Sequence, residues 1–171
     1  STADPVNFTG LFARFKANPQ QTHGFDTLNP KHTSIANYYK MLQVAGKQFY
    51  LPWKALKEGT TEPVNLVIKQ GTDNMPFSNL KVEQTGVGSL TPLTGAGTGL
   101  QTYNLRGSYK GAEESVVASF TLDGEEKYAG AIYLATYGEK NFKVYLVPLN
   151  GATVEDVAAA QLQQGLNSIY S

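Results

Sequence analysis

The sequence of 171 residues predicts a mainly β protein, and three observations support this fold class. The 17 glycines and 8 prolines supply turn residues, and the 10 tyrosines and 8 phenylalanines belong to the residue types that strands favour. Short runs of alternating polar and apolar residues recur from residue 47 onwards. Turn signals such as Asp123-Gly124 separate these runs. The composition, 41% hydrophobic and 16% charged, is that of a folded domain.

Residues 1–46 are predicted to form a helical N-terminal segment that packs on the β domain. Its one helix covers residues 34–45, where Thr33 or Ser34 can cap the first turn and Gly46 lies at the position of a left-handed C-cap. Apolar residues follow at helical spacing within it: Ile35, Tyr38, Tyr39, Leu42 and Ala45.

About seven short strands are predicted within residues 47–151. They cover residues 48–54, 64–69, 80–83, 100–105, 115–122, 128–137 and 142–149. This number of strands over roughly one hundred residues is typical of an immunoglobulin-like antiparallel β-sandwich. Residues 85–99 are rich in Gly and Thr, carry no charge, and are predicted to form a long mobile loop. Pro52 marks a bulge or an edge, and Trp53 is interpreted as a core anchor under one sheet.

Residues 152–171 are predicted to form a C-terminal helix. It begins with Thr153 in a Thr-Val-Glu-Asp run, which places Glu155 and Asp156 at the positive end of the helix dipole. An apolar stripe follows: Val154, Val157, Ala158, Leu162, Leu166 and Ile169. The stripe can pack on the sheet, on the helix of residues 34–45, or on a further domain.

Charge and composition argue against several classes of partner. The 14 basic and 14 acidic residues leave a net charge of zero, whereas binding to nucleic acid or to an anionic membrane needs a basic excess. No stretch approaches the ~18 apolar residues of a spanning helix, so membrane insertion is not expected. Without cysteine there is no disulfide, zinc–thiolate site or thiol nucleophile.

The two histidines carry the one enzymatic alternative. His23 and His32 are nine residues apart, which is not a metal-binding spacing, and no Gly-x-Ser-x-Gly motif is present. Asp26 lies near His23 and can form a hydrogen-bonded pair with it. A hydrolase with a site around His23 and Asp26 therefore remains an alternative, while the leading prediction is a protein that is not an enzyme and has no catalytic residues.

Two groups of carboxylates are interpreted as solvated turn residues. They are Glu113-Glu114 and Asp123-Gly124-Glu125-Glu126, both at predicted turns. Carboxylates in loops can also hold calcium, which binds several oxygen ligands. We expect no resident cofactor or metal, with calcium as the weaker alternative.

The aromatic residues suggest a binding face as well as a core. They include Tyr38, Tyr39, Phe49, Tyr50, Trp53, Tyr103, Tyr109, Tyr128, Tyr133, Tyr137 and Tyr145. Most are expected to serve the core and cross-strand pairs, because sheets favour aromatic residues. The alternative is a carbohydrate-binding module in which exposed rings stack on a polysaccharide.

Three stretches, together with the end of the helix that follows the third, resemble a family of known modules. They are Gly-Phe-Asp at residues 24–26, Tyr-Leu-Pro-Trp-Lys-Ala-Leu at 50–56, Lys-Val-Tyr-Leu-Val-Pro-Leu-Asn-Gly at 143–151, and Leu-Asn-Ser-Ile-Tyr at 166–170. Together they resemble immunoglobulin-like or fibronectin type III-like modules of large secreted proteins of Gram-negative bacteria. In such proteins the module precedes another extracellular domain, sometimes one similar to a zinc metalloprotease.

The resemblance implies a location outside the cell or on its surface, and an accessory role. It implies no functional residues, and it allows the last helix to be the start of a truncated next domain. The predicted function is thus a non-catalytic accessory or recognition module that positions a neighbouring domain or binds a protein partner.

Overall fold

The computed structural model describes residues 3–29, 31–141, 143–145 and 156–170, with the side chains of residues 160–168 in the last range. The chain divides into two compact units, Ser1–Glu139 and Lys140–Ser171. In chain order, the strands of the described residues are β1 (Leu11–Ala17), β2 (Phe25–Asp26), β3 (Met41–Val44), β4 (Lys47–Tyr50), β5 (Trp53–Lys57), β6 (Thr61–Gln70), β7 (Lys81–Thr85), β8 (Ser89–Thr94), β9 (Leu100–Arg106), β10 (Glu113–Leu122) and β11 (Glu125–Tyr137). The fold is therefore mainly β, as predicted.

The strands of the first unit form two larger sheets and a hairpin. The four-stranded sheet has the order β1-β6-β9-β8 and is antiparallel throughout. The five-stranded sheet has the order β2-β5-β11-β10-β7. Its strands β5 and β11 run parallel to each other, whereas its other pairs are antiparallel. The hairpin consists of β3 and β4.

A hydrophobic core lies between the two sheets. Strand β6 alternates, so that Val64, Leu66 and Ile68 are buried while the residues between them are partly exposed. Residues of both sheets share this core. The four-stranded sheet contributes Phe15, Leu66 and Leu105, and the five-stranded sheet contributes Leu56, Val116, Ile132 and Leu134. The two sheets consequently pack face to face in a sandwich-like arrangement.

The predicted helix of residues 34–45 is wrong. A 3₁₀ helix covers only Thr33–Tyr38, and the rest of the segment is the hairpin of β3 and β4. Ala45 and Gly46 form its turn with φ values of 50° and 74°, which suit a two-residue hairpin loop. The side of the hairpin that carries Phe49 packs against Phe12 of β1, with ring centroids 4.6 Å apart.

Other local predictions also change. Strand β1 was not predicted, although it belongs to the four-stranded sheet. The predicted mobile loop of residues 85–99 contains strand β8, so the prediction of a loop throughout is wrong. The predicted strand of residues 48–54 is split by Leu51 and Pro52 into β4 and β5. The predicted strand of residues 142–149 lies largely outside the described residues.

The second unit contains the predicted C-terminal helix. This helix, α1, spans Asp156–Tyr170, and its predicted start at Thr153 lies outside the described residues. Leu162 is exposed and Leu166 is partly buried, while the other residues of the predicted stripe lie outside the described side chains. Across the described part of the chain, no helix has both the length and the apolar character needed to cross a membrane.

Candidate functional site

A line of five residues crosses the outward face of the five-stranded sheet. Backbone register places one residue on each strand, from edge to edge: Asp26, Trp53, Tyr133, Ser115 and Thr85. Adjacent strands lie ~4.8 Å apart, so four such steps give a length of about 19 Å. We call these five residues the aromatic row.

Strand β5 shows why Trp53 faces outward. Lys54 and Leu56 have no exposed surface, whereas Trp53, Ala55 and Lys57 are partly exposed. Successive side chains of a strand point to opposite faces, so the inward positions belong to Lys54 and Leu56. The interpretation of Trp53 as a core anchor is therefore wrong, and the indole lies half-buried on the outside of the sandwich.

Two aromatic rings form the centre of the row. The centroids of the Trp53 and Tyr133 rings are 5.1 Å apart, and their planes meet at 38°. The indole N–H of Trp53 donates a hydrogen bond of 3.2 Å to the backbone oxygen of Tyr38. This bond fixes the indole edge, so the ring faces are held in place before any ligand binds.

Charged groups flank the two rings. The ammonium of Lys40 lies 5.2 Å from the centroid of the Tyr133 ring, a cation–π contact. The hydroxyl of Tyr39 donates a hydrogen bond to the carboxylate of Asp26, and this bond is the main cause that raises the pKa of Tyr39 to about 12. The row and the adjacent Lys40 thus offer a positive group, a negative group and two ring faces within a short distance.

Hydroxyl groups form the other end of the row. The side-chain oxygens of Thr85 and Ser115 are 2.8 Å apart, and the Thr85 hydroxyl also donates to the backbone oxygen of Ser115 at 3.1 Å. Both residues keep part of their surface exposed. They can donate to or accept from a ligand that extends along the row.

Exposed apolar side chains lie on the segment beside the row. Tyr38, whose backbone binds the Trp53 indole, is 76% exposed. Met41 and Tyr50 face each other across the hairpin and are 44% and 42% exposed. Ile35 of the 3₁₀ helix is also exposed. Most aromatic residues were expected in the core or in cross-strand pairs, and a place in the core is wrong for six of them, which are exposed: Tyr38, Tyr50, Tyr109, Tyr128, Tyr137 and Tyr145.

A buried charged network lies on the inner side of the same sheet edge. The Lys54 ammonium donates to the Glu62 carboxylate and to the backbone oxygens of His23 and Ala55, at 2.8 and 2.9 Å for the last two. The same carboxylate accepts hydrogen bonds from the backbone N–H groups of Thr22 and His23, at 3.1 and 3.0 Å, and contacts both side chains. This network ties the loop before β2 to both sheets.

The network determines the charge state of Glu62. Burial by itself raises the pKa of this carboxyl, but the hydrogen bonds from Lys54, Thr22 and His23 together outweigh it and lower the pKa to about 2. The carboxylate is therefore ionised at neutral pH and balances the buried ammonium of Lys54. Its lone pairs are occupied by these bonds, which suits a structural tether.

The predicted pair of His23 and Asp26 is wrong. Ring nitrogen Nδ1 of His23 contacts Glu62, and the ring of His23 packs edge-on against Tyr137 at 5.5 Å. Asp26 instead binds the Tyr39 hydroxyl on the outward face. His32 is exposed at the start of the 3₁₀ helix. The structure does not bring together the residues of the hydrolase alternative.

The two predicted carboxylate groups have different surroundings. Glu114 was interpreted as solvated, which is wrong because it is only 7% exposed. It accepts hydrogen bonds from the Gly88 N–H at 2.8 Å and from the Ser108 hydroxyl at 3.1 Å. Glu125 pairs with Lys127 on the surface. Among the described residues, no three or more His, Asp or Glu side chains cluster as a metal site would require, and calcium stays an untested alternative.

Sequence reasoning missed Lys54 and Glu62, although a signal for them exists. Glu62 alternates in phase with Val64 and Leu66 of β6, and Lys54 alternates in phase with Leu56 of β5. Charged residues of opposite sign in the core phase of two strands predict a buried pair, because an unpaired buried charge is very costly.

Comparisons with known proteins give no information about this site. No family model matches the chain, and no curated protein matches it. The resemblance to modules of secreted bacterial proteins therefore rests on the quoted residues and stays a prediction.

Proposed function

We propose that this chain is a non-catalytic recognition module of an extracellular bacterial protein. Through the aromatic row it binds a protein partner or positions a neighbouring domain. The observation that carries the proposal is the row itself, a fixed pair of aromatic rings bordered by exposed apolar side chains. Protein interfaces are enriched in Trp, Tyr and Met, and their binding energy concentrates in such central anchors.

The finer fold assignment and the location belong to the same proposal. We propose that the sandwich-like arrangement is of the immunoglobulin type, in keeping with two packed sheets of four and five strands. A location outside the cell or on its surface follows from the resemblance to secreted modules. The complete lack of cysteine is compatible with that location.

A specific observation also favours carbohydrate binding as a second candidate. The row places ring faces, a carboxylate and two hydroxyls along about 19 Å, with the Lys40 ammonium beside the Tyr133 ring, which suits an extended polysaccharide crossing the strands. Sugar units offer apolar faces for stacking and hydroxyls for hydrogen bonds. The angle of 38° between the two rings means that successive sugar units would stack on planes of different tilt.

The experiment compares three variants of the full chain. Trp53→Ala and Tyr133→Ala each remove one ring of the row, and Tyr128→Ala is the matched control because Tyr128 is 68% exposed on the same strand outside the row. The immobilised proteins are exposed to secreted proteins of a Gram-negative bacterium and, separately, to a polysaccharide panel. We expect the two row variants to weaken binding by about 30-fold, the effect of a hot-spot residue.

The results separate the two candidates. Trp53 is the single tryptophan, so its fluorescence reports directly on occupancy of the row. A protein retained by the parent chain and by Tyr128→Ala, but lost from both row variants, supports protein recognition. A fluorescence change with one polysaccharide supports the second candidate. Retention that is equal for all variants contradicts a role for the row.

A further inference from the structure

A cleft lies on the outward face of the other, four-stranded sheet. It has a volume of about 240 Å³, an apolar floor of Phe12 and Val67, and a rim that carries Arg14, Lys16 and Lys69. The pairing of β1 with β6 brings these residues together, because Arg14 lies opposite Val67 and Phe12 lies opposite Lys69. We call it the cationic cleft.

Positive charge is in excess within the cationic cleft. Asp4 is the one carboxylate among its lining residues, and it pairs with Arg14 at 3.1 Å and more distantly with Lys69 at 3.9 Å. Lys16 forms no ion pair within 4 Å among the described residues. Burial and the neighbouring Arg14 guanidinium lower the pKa of Lys16, and the attraction of the Asp4 carboxylate opposes them only in part. The ammonium of Lys47 also reaches the backbone oxygen of Asp4, at 3.4 Å. Although the chain has no net charge, its basic side chains are thus concentrated at the cationic cleft.

The Asp4 carboxylate occupies the position that an incoming anion would take. The side chain of Asp4 is 42% exposed and that of Arg14 is 28% exposed, so water and salt still reach this ion pair and weaken it. An oxyanion from solution can therefore displace Asp4 and take over its contacts with Arg14 and Lys69. Charge-assisted hydrogen bonds to arginine favour planar or tetrahedral oxyanions.

The sheet surface beside the cleft is rich in hydroxyl and amide groups. Lys16 lies opposite Asn65, which in turn lies opposite Thr102. The Asn65 side-chain oxygen accepts hydrogen bonds from the Asn18 amide at 2.8 Å and from the Thr102 hydroxyl at 3.1 Å. A ligand that extends from the cleft over these residues meets groups suited to sugar hydroxyls.

We propose that the cationic cleft binds the acidic group of an acidic saccharide, with Asp4 as a tethered competitor that withdraws when the ligand arrives. The acidic group lies against Arg14, Lys16 and Lys69, and the neighbouring hydroxyls of the sugar lie over Asn65. This site is on the opposite sheet from the aromatic row and does not depend on the function proposed for that row.

The test measures binding of trigalacturonate to the full chain by isothermal titration calorimetry. We expect saturable binding that weakens as salt rises. The double variant Lys16→Gln/Lys69→Gln should bind at least about tenfold more weakly, since two charged contacts are lost. Asp4→Asn should bind about two- to fivefold more tightly, because it removes a competitor held by weak exposed ion pairs. Lys81→Gln is the matched control, with an exposed lysine on the other sheet.

Each other outcome overturns the proposal in a defined way. No saturable heat, or equal affinity in the double variant and in Lys81→Gln, excludes the cationic cleft as the site. Equal affinity for neutral maltotriose excludes recognition of the acidic group, and equal affinity for inorganic sulfate excludes recognition of the saccharide. Loss of binding in Trp53→Ala moves the ligand to the aromatic row and supports the second candidate function instead. Unchanged binding in Trp53→Ala is the result that the proposal expects, because the cationic cleft and the aromatic row lie on different sheets.

Discussion

Glu62 shows how one side chain can combine burial with a full charge. The residue is 3% exposed, yet donors from Thr22, His23 and Lys54 surround its carboxylate. Removing a carboxylate from water is unfavourable, and only a dense set of hydrogen bonds can offset that cost. The lowered pKa of Glu62 shows that these bonds more than offset it.

This residue makes the folded state sensitive to acid. The folded pKa of Glu62 is about 2, below the ordinary value of 4.5, so its contribution is complete above pH 4.5 and is lost as the pH falls towards 2. The difference between the unfolded and folded pKa values of Glu62 corresponds to roughly 3 kcal/mol in the free energy of unfolding. Urea denaturation at a series of pH values between 6 and 2, on the order of one pH unit apart, measures this loss.

Glu62→Gln is the control for that titration. The variant is less stable at neutral pH, but it lacks the titrating carboxyl, so its stability should fall much less between pH 5 and pH 2. An equal fall in the free energy of unfolding of both proteins would assign the acid sensitivity to other carboxylates.

The hairpin of β3 and β4 is an element whose sequence is compatible with two structures. Leu42 and Ala45 are at helical spacing from Tyr38, and Gly46 suits both a helix C-cap and a hairpin turn. The hairpin prevails because Leu42, Val44 and Phe49 then lie on one side, where Phe49 packs on Phe12. A short helix has no comparable partner for these side chains, and isolated helices of this length are marginal.

Ala45→Gly distinguishes these two structures by the sign of its effect. Ala45 has a φ of 50°, which is unfavourable for an L-residue with a Cβ, and it is exposed. The variant should raise the free energy of unfolding by about 0.5 kcal/mol, because relief of strain exceeds the entropy cost of glycine. In a helix the same change would destabilise by about 1 kcal/mol. Chemical denaturation of both proteins gives the sign directly.

Strand prediction succeeded where the pattern was local and failed where tertiary contacts decide. Strands β6, β9, β10 and β11 lie where the alternation predicted them, and Asp123-Gly124 forms the expected turn with φ values of 51° and 79°. Strand β8 lies in a Gly/Thr-rich stretch with little apolar pattern, and it exists because it pairs with β9. Its stabilising contacts are with another part of the chain, so its local sequence carries a weak signal.

At the scale of the whole molecule, the pair of Lys54 and Glu62 joins the two sheets. Lys54 belongs to β5 of the five-stranded sheet and Glu62 to β6 of the four-stranded sheet. Hydrophobic contacts are non-directional and allow small shifts of one sheet against the other at similar energy. A buried ion pair is satisfied in only one arrangement of the sheets. We therefore interpret this pair as a device that fixes how the sheets align.

A double-mutant cycle tests this role. Lys54→Met alone and Glu62→Leu alone each leave a buried charge without its partner, and each should lower the free energy of unfolding by about 3–5 kcal/mol. The double variant should lose clearly less than the sum, because neither charge remains. Denaturant unfolding of the four proteins measures the coupling. Additive losses would contradict a direct interaction across the core.

The candidate site could be predicted only in part from the sequence. Composition suggested an aromatic binding face, and the rings of Trp53 and Tyr133 meet at the centre of the site proposed for it. Their contact depends on the pairing of β5 with β11, which no local pattern specifies. For the same reason Glu62, rather than the nearby Asp26, is the partner of His23. Sequence proximity is a poor guide to contact where strands from distant parts of the chain meet.

The parallel pairing of β5 and β11 also sets the order in which the protein can be completed during synthesis. Trp53 pairs with Tyr133, so β5 must wait for a partner that is translated 80 residues later. At typical rates of about 5–20 residues per second, that delay is roughly 4–16 s. During this interval the edge of β5 that pairs with β11 has no strand partner, whereas β2, on its other edge, is already synthesised.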